Sequence, residues 1–346
     1  MNQATASHGL TIPLGLVRLE PSTIPVVSVY ADWRVSGRGR HEAPTVIEKQ
    51  LREALATRPA RSEEHASLVA DAARISTYLA TEVDHGARSV VFFASHGRGL
   101  WFAQQSVVPT DTMVHVGDRP RLLPFAEMVQ GAQEGLIAMV DTEHLRLVDV
   151  GYAGVRELDG LDEHTWGATR ISARAAWRTA GRQRAHQVIL ERYAEDVASA
   201  IADAVGAVNA RQVAIVGAEE IAVLVRSKLP AAVREKSSFM GRIEQDATEE
   251  DVVEHIWPRM QSVATTRQIA EISRLLGERE YVSQLGPVFR LLENRGAGTV
   301  AFDPTCLIEE DGEALLRQAL DQRVDVLVAR AATALDPLGG VVAWRR

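Results

Sequence analysis

Between His164 and Leu190 the chain runs for 27 residues without a carboxylate, although it carries 46 acidic residues in total. The same stretch holds Arg170, Arg174, Arg178, Arg182 and Arg184, with His164 and His186, and Trp166 and Trp177 stand among them. Guanidinium groups take phosphate oxygens in pairs and indole rings stack on unpaired bases, so these residue types together suit a nucleic-acid backbone with exposed bases. The first four arginines are spaced by four, and a helical stretch would bring them to one face, which Gly181 would break or bend. A basic face turned to water on an otherwise acidic protein is the plain alternative. If five arginines engage phosphates of irregular RNA, log affinity should fall with log salt at a slope of about −3.5, taking roughly 0.7 per contact. A shorter basic stretch, Trp33-Arg34-Val35-Ser36-Gly37-Arg38-Gly39-Arg40, reads as a flexible loop able to present Arg34, Arg38 and Arg40 to RNA, or as an ordinary surface turn.

Other chemistry has little to stand on. The ten histidines are scattered, and no pair has the i, i+4 spacing that puts two imidazoles on one helical face, so neither a metal nor a cofactor is expected. Cys306 is alone and can form neither an intrachain disulfide nor a thiolate cage. The chain has no G-x-S-x-G elbow and no G-x-x-x-x-G-K-[ST] loop. At Gly217-Ala218-Glu219-Glu220 a helix N-terminus could cradle an anion, but the two glutamates would repel it and suit the helix dipole instead.

These residues sit in a chain of 346, which is long enough for two to three domains. Hydrophobic residues make up 46% and charged residues 24%, an ordinary globular mixture. The net charge of −8 argues against indiscriminate coating of nucleic acid, yet an exposed basic segment is screened from distant acids within a Debye length of about 8 Å. Lysine occurs only at Lys49, Lys228 and Lys236, a bias that coding composition alone would also produce. With no apolar run near the roughly 20 residues of a bilayer span and no leader-like start, a soluble cytoplasmic protein away from membranes is expected.

The elements that must position the basic segment follow from periodicity. A strand over Ile24 to Tyr30 precedes two amphipathic helices, with Ile47, Leu51, Ala54 and Leu55 on one and Leu68, Ala72, Ile75 and Leu79 on the other. Ser89 to Ala94 and Leu100 to Gln104 form a hairpin through His96-Gly97-Arg98-Gly99, and a short strand is expected at Met113 to Val116 within a turn-rich stretch. After a boundary near Gln133 come a hairpin (Leu136 to Val140, Leu145 to Val150), a long loop, and a helix over Gln183 to Val208. Val188, Tyr193, Val197, Ile201 and Val205 form the apolar stripe of that helix. A strand over Gln212 to Val216 then leads into a helix over Ile221 to Leu229. Thr248 and Asp251 start an acidic helix with a capping box, and a hinge is expected at Gln261 to Thr265. Helices over Gln268 to Leu276, Val282 to Asn294 and Glu313 to Gln322, with strands over Thr299 to Phe302, Val324 to Ala329 and Val341 to Trp344, complete a small α/β sandwich.

Three quoted runs of the middle segment carry a resemblance: Gly135-Leu136-Ile137-Ala138-Met139-Val140-Asp141, Arg182-Gln183-Arg184 leading into Glu191-Arg192-Tyr193-Ala194-Glu195-Asp196-Val197-Ala198, and Val213-Ala214-Ile215-Val216-Gly217. In the last segment Leu285-Gly286-Pro287-Val288-Phe289-Arg290-Leu291-Leu292-Glu293, Gly296-Ala297-Gly298-Thr299-Val300 and Leu338-Gly339-Gly340-Val341-Val342-Ala343-Trp344 add to it. In this order they resemble the archaeo-eukaryotic release factors and Pelota, in particular their bacterial relatives, over roughly residues 134–346. The resemblance implies an α/β protein of three-domain release-factor/Pelota-like architecture, each domain a mixed sheet packed with helices. Its domains would be 1–133 facing the decoding side, 134–262 with the basic loop, and 263–346 as a ribosomal-protein-like α/β domain.

Release factors of that family hydrolyse peptidyl-tRNA with a Gly-Gly-Gln tip, whereas this chain has Gly181-Arg182-Gln183, with a bulky cation where a bare backbone is needed. The bacterial members without the tip include the Balon-type hibernation factors, which occupy the vacant A site and contact elongation factor Tu. By resemblance, then, the expectation is a non-enzymatic factor that binds the 70S ribosome. Trp166, Arg170, Arg174, Trp177, Arg178, Arg182, Gln183 and Arg184 would meet 23S rRNA near the peptidyl transferase centre, and Arg34, Arg38 and Arg40 would meet 16S rRNA. Elongation factor Tu would bind through the C-terminal domain. The alternative is a peptidyl-tRNA hydrolase or rescue factor that uses Gln183 to orient water; a further one is an RNA or protein adaptor that shares only the fold.

Overall fold

The computed structural model describes residues 3–5, 11–37, 39–131, 134–141, 144–152, 154–158, 183–244 and 247–346. Its contacts divide the chain into two compact units. One joins Met1–Ala132 with Thr265–Arg346, and the other is Gln133–Ala264. The cuts fall near the expected boundaries, but the first and last segments, expected as separate domains, pack together as one unit.

In the first segment β1 (Gln3–Thr5) pairs with β2 (Thr11–Pro13), and a short helix α1 (Leu14–Val17) follows. Strand β3 (Val26–Asp32) leads to helices α2 (Ala43–Ala56) and α3 (Glu63–Thr81), then β4 (Ser89–Ser95), β5 (Leu100–Ser106), β6 (Met113–Gly117) and helix α4 (Leu123–Gly131). The sheet order is β5-β4-β3-β6, all antiparallel. Every residue of β4 is buried because both faces are covered. Val90, Phe92 and Ala94 meet Ile47, Leu51, Leu68 and Ile75 of α2 and α3, while Phe93 packs edge-on against Phe125 of α4. Helix α4 was concealed by the turn formers before it; Pro124 falls in its first turn, where a missing N–H costs little. Within the β4–β5 connection only Gly99 takes a positive φ, +64°, after a single 3₁₀ turn at His96–Arg98.

The middle unit holds β7 (Gly135–Val140), β8 (Leu145–Gly151), β9 (Gly154–Glu157), helix α5 (Gln183–Val208), β10 (Gln212–Gly217), helices α6 (Glu219–Lys228) and α7 (Ala231–Lys236), β11 (Ser237–Phe239) and helix α8 (Glu249–His255). Its sheet runs β11-β10-β7-β8-β9, with β11, β10 and β7 parallel and the β7–β8–β9 meander antiparallel. Tyr193, Val197, Ile201 and Val205 of α5 press on Leu136, Ala138, Val140, Val213 and Ile215. The spacing of four that marked the helix is therefore the spacing of its core contacts. The capping box of Thr248 and Asp251 forms in both directions, at 3.2 and 2.8 Å.

Gly217 closes β10 at φ +150°, and a Cβ there would lie 1.9 Å from the carbonyl oxygen of Val140 on the paired strand. Gly217→Ala should therefore cost at least about 2 kcal/mol, from the strained φ and the overlap together. Urea unfolding measures it, and a loss below about 0.5 kcal/mol would mean that the strand end relaxes freely.

The last elements are helix α9 (Trp257–Glu278), β12 (Tyr281–Ser283), helix α10 (Leu285–Glu293), β13 (Ala297–Phe302), helix α11 (Glu309–Asp321), β14 (Asp325–Val328) and β15 (Val341–Arg345), in a sheet ordered β12-β15-β13-β14. Two expectations are corrected here. The joint expected at Gln261 to Thr265, where the two units divide, is helical, within α9: Pro258 lies in the first turn of that helix, no glycine or proline follows until Gly277, and two threonines lower helix propensity by only some tenths of a kcal/mol each. The helix expected from Val282 begins only at Leu285, because Tyr281–Ser283 pairs with β15 and Gln284 turns the chain at φ +69°.

The first and last segments are joined by half-buried and buried polar groups. The Glu313 carboxylate accepts the N–H groups of Leu122 (2.8 and 3.0 Å) and Leu123 (2.8 Å) at the start of α4. Arg317 donates to the carbonyls of Leu16 (3.0 Å), Val17 (2.7 Å) and Pro120 (2.6 Å) and to Glu313 (3.1 Å). The Gln130 amide donates to the Val326 carbonyl and accepts the Val328 N–H at 2.7 Å, completing the edge of β14.

Candidate nucleic-acid interface

In the sequence the basic segment lies between β9 and α5 of the middle unit. On the outgoing side the Leu158 N–H donates to the Leu147 carbonyl at 3.0 Å, and Arg146 forks onto Glu157 at 2.8 and 3.1 Å. On the returning side Leu190 packs against the core, and the Tyr193 hydroxyl donates to the carbonyls of Asp141 (2.9 Å) and His144 (3.2 Å). Both ends of the segment are thus anchored to the β7–β8 hairpin. Trp166, Arg170, Arg174, Trp177, Arg178 and Arg182 lie outside the described residues. Gln183 and Arg184 form the first turn of α5.

That first turn has an electrostatic peculiarity. A helix of 26 residues presents a positive partial charge and unsatisfied N–H groups at its start, and acids commonly answer them. Here the first turn holds no acidic residue, Arg182 precedes it and Arg184 lies within it. The neighbouring helix α6 shows the ordinary solution, with Glu219 and Glu220 in its first turn. The first turn of α5 thus brings no acid of its own to answer the dipole.

The shorter basic stretch is less open than expected. Trp33 is 8% exposed and stacks on His41 with ring centroids 4.2 Å apart, so it offers no face to a base. Ser36 donates to the Arg40 carbonyl through its N–H (3.0 Å) and its hydroxyl (2.9 Å), and Val35 bridges His41, closing the turn. The flexibility expected of residues 33–40 gives way to this closure in its described part. Arg38 lies outside the described residues. Arg34 forks onto Asp32 at 2.9 and 2.7 Å. Burial pushes the Asp32 carboxyl up, but the hydrogen bonds and charge of Arg34 outweigh it and hold the group below its ordinary value. The cleft of about 390 Å³ beside them is lined by Asp32 and Glu42 as well as Arg34, so it has no excess positive charge. Arg40 is exposed and makes no ion pair among the described residues.

Among the described residues no group of three or more His, Cys, Asp or Glu could hold a metal, and no helix is long and apolar enough to cross a membrane.

Comparison with known proteins bears on the same region. Residues 120–260 match the model of bacterial archaeo-eukaryotic release factor family 10. No curated protein matches. Among solved structures the chain is similar to archaeal Pelota from a model of ribosome-bound Pelota and ABCE1, at 16% identity over 75% of this chain and 77% of that one, with a TM-score of 0.44. It is similar to the archaeal translation termination factor aRF1 at 14% identity over 94% and 93%, TM-score 0.27. It is also similar to S. cerevisiae Dom34, a translation termination-like factor, at 9% identity over 74% and 80%, TM-score 0.41. The middle segment, which carries the anchored basic stretch, is thus similar to bacterial archaeo-eukaryotic release factor family 10 over residues 120–260.

Proposed function

We propose that the chain is a ribosome-binding factor that occupies a vacant A site of the 70S ribosome in hibernation, with the arginine segment directed toward the peptidyl transferase centre. One observation carries this reading: inside the family-matched region the acid-free segment runs into a helix whose first turn holds no acidic residue. Phosphates of 23S rRNA are the anions that this surface fits, with Trp166 and Trp177 available by type to stack on splayed bases. Elongation factor Tu is the partner that the resemblance implies for the C-terminal segment, and it should appear in the same gradient fractions if that contact forms. Sucrose-gradient co-sedimentation with 70S ribosomes tests the main reading; a protein that stays at the top of the gradient at low salt does not bind them.

Binding rather than hydrolysis is favoured because Arg182 stands where a Gly-Gly-Gln tip needs a bare backbone, and because Gln183 is the first residue of α5. Ribosomes carrying labelled peptidyl-tRNA should therefore release no more peptide with the protein than without it, and Gln183→Ala should change nothing. Release that Gln183→Ala abolishes would replace this reading with a rescue hydrolase.

A further inference from the structure

Away from the middle unit, arginines gather at one end of the sheet β12-β15-β13-β14. Tyr281 pairs with Trp344, Ala297 with Arg345 and Thr299 with Asp325, so the starts of β12, β13 and β14 and the finish of β15 share that end. Helices α9, α10 and α11 also finish there, and the turns after them supply Arg279, Arg295 and Arg323, while β15 adds Arg345 and Arg346 follows it. All five are exposed. Arg346 donates through Nε to the Ala297 carbonyl at 3.1 Å; the other four guanidiniums have no ion-pair or hydrogen-bond partner among the described residues. Of the acids nearby, Asp321 is taken by Arg18 at 2.6 Å and Glu278 by Arg274, and the turns and strand starts add Glu280, Glu293 and Asp325 against five arginines.

Two of these arginines occupy positions that favour glycine. Arg295 has φ +54° and Arg323 φ +56°, each directly after the C-cap of its helix. Both helix ends are closed in the same way: the Arg295 N–H donates to Leu292 O and that of Gly296 to Leu291 O, and the Arg323 N–H donates to Leu320 O and that of Val324 to Ala319 O. This is the left-handed helix stop in which glycine is the usual occupant. A cation at a helix C-terminus complements the dipole, which accounts for a positive charge there. It does not account for guanidiniums that reach past the carbonyls into water, nor for a strained residue retained twice on one rim.

We propose that this rim is a second RNA-binding surface, which takes the phosphate backbone of an RNA stem without reading its sequence. From the start of β12 to that of β14 is three strand spacings, about 14 Å. Over such a length one strand of a duplex presents about four phosphates. The inference goes beyond the proposed ribosome contact and does not depend on it.

The test uses the full chain with Arg170→Glu, Arg174→Glu and Arg178→Glu, which silences the middle segment, and a fluorescein-labelled RNA hairpin followed by anisotropy. This protein should still bind the hairpin, with a log–log salt slope of about −2 to −3. Adding Arg279→Ser, Arg295→Gly and Arg323→Gly should remove about two from that slope and weaken binding at least about tenfold at about 0.1 M salt. The thermal midpoint should stay level or rise, since glycine relieves two left-handed positions. Glycine variants that melt earlier and bind RNA as before would overturn the proposal, making these arginines helix-end complements only. Polyglutamate bound as tightly as the hairpin would overturn it too, in favour of an acidic protein partner. The hairpin assay contains no ribosome, so it can fail while co-sedimentation through the middle segment succeeds, and the reverse.

Discussion

Arg170→Glu, Arg174→Glu and Arg178→Glu together should move the protein from the ribosomal fractions of a sucrose gradient to its top, with no change in far-ultraviolet circular dichroism or thermal midpoint. The segment is anchored at Leu158 and Leu190 through backbone and core contacts, and none of those involves the three arginines. With roughly 0.7 of a counterion released per phosphate contact, losing three contacts costs about a hundredfold in affinity at about 0.1 M salt, before the repulsion of three new carboxylates is added. The slope of log affinity against log salt should shrink from about −3.5 by about two. Arg→Lys at the same positions keeps the charge but loses the paired geometry, and should retain most of the slope with a smaller loss of affinity. Full ribosome binding by the glutamate variant would place the contact on another surface, and the rim at Arg279, Arg295 and Arg323 would be the next to reverse.

Glu313→Ala should be the most destabilising of the single substitutions considered, by about 3–5 kcal/mol, because it strands a buried cation and uncaps a helix at once. The Glu313 and Arg317 side chains are only 20% and 11% exposed. Burial already holds the Arg317 guanidinium below its ordinary pKa, with Glu313 opposing that shift. Removing the carboxylate leaves Arg317 with carbonyl partners alone and leaves the N–H groups of Leu122 and Leu123 without their acceptor. Glu313→Gln keeps an oxygen for the cap and should lose roughly half as much. Arg317→Met added to Glu313→Ala should recover part of the loss, since no cation is then left without its carboxylate. Urea titration of the four proteins gives the order directly; a Glu313→Ala loss below about 1 kcal/mol would mean that water replaces the carboxylate without strain.

Both predictions rest on residues that differ in how far they could be read in advance. The basic segment is visible in one dimension: a run without acids needs no neighbours to be recognised. The same holds for α5, whose residues 193, 197, 201 and 205 mark its buried face, and for the Thr248 capping box, a contact between residues three apart. Arg34 lies at the other extreme. Its charge and its partner Asp32, two residues away, are both plain in the sequence, but either could have faced another group, and only the fold shows that they fork onto each other. The union of the first and last segments rests on Glu313 reaching a helix about 190 residues earlier in the chain. Short strands such as β9, β11 and β12 carry too few residues for a period-2 pattern and exist because a neighbour offers its hydrogen bonds.

Local periodicity, the placement of charge along the chain and the order of the motifs determined that this is an α/β protein with an arginine-rich insertion ahead of a long helix. Those properties depend on near neighbours, and a linear text records near neighbours faithfully. The tertiary structure decided that the two ends of the chain form one unit, and that Arg279, Arg295, Arg323 and Arg345 stand on one rim. Strand register and buried ion pairing bring together residues tens to hundreds of positions apart, and their energy exists only once the sheets have formed.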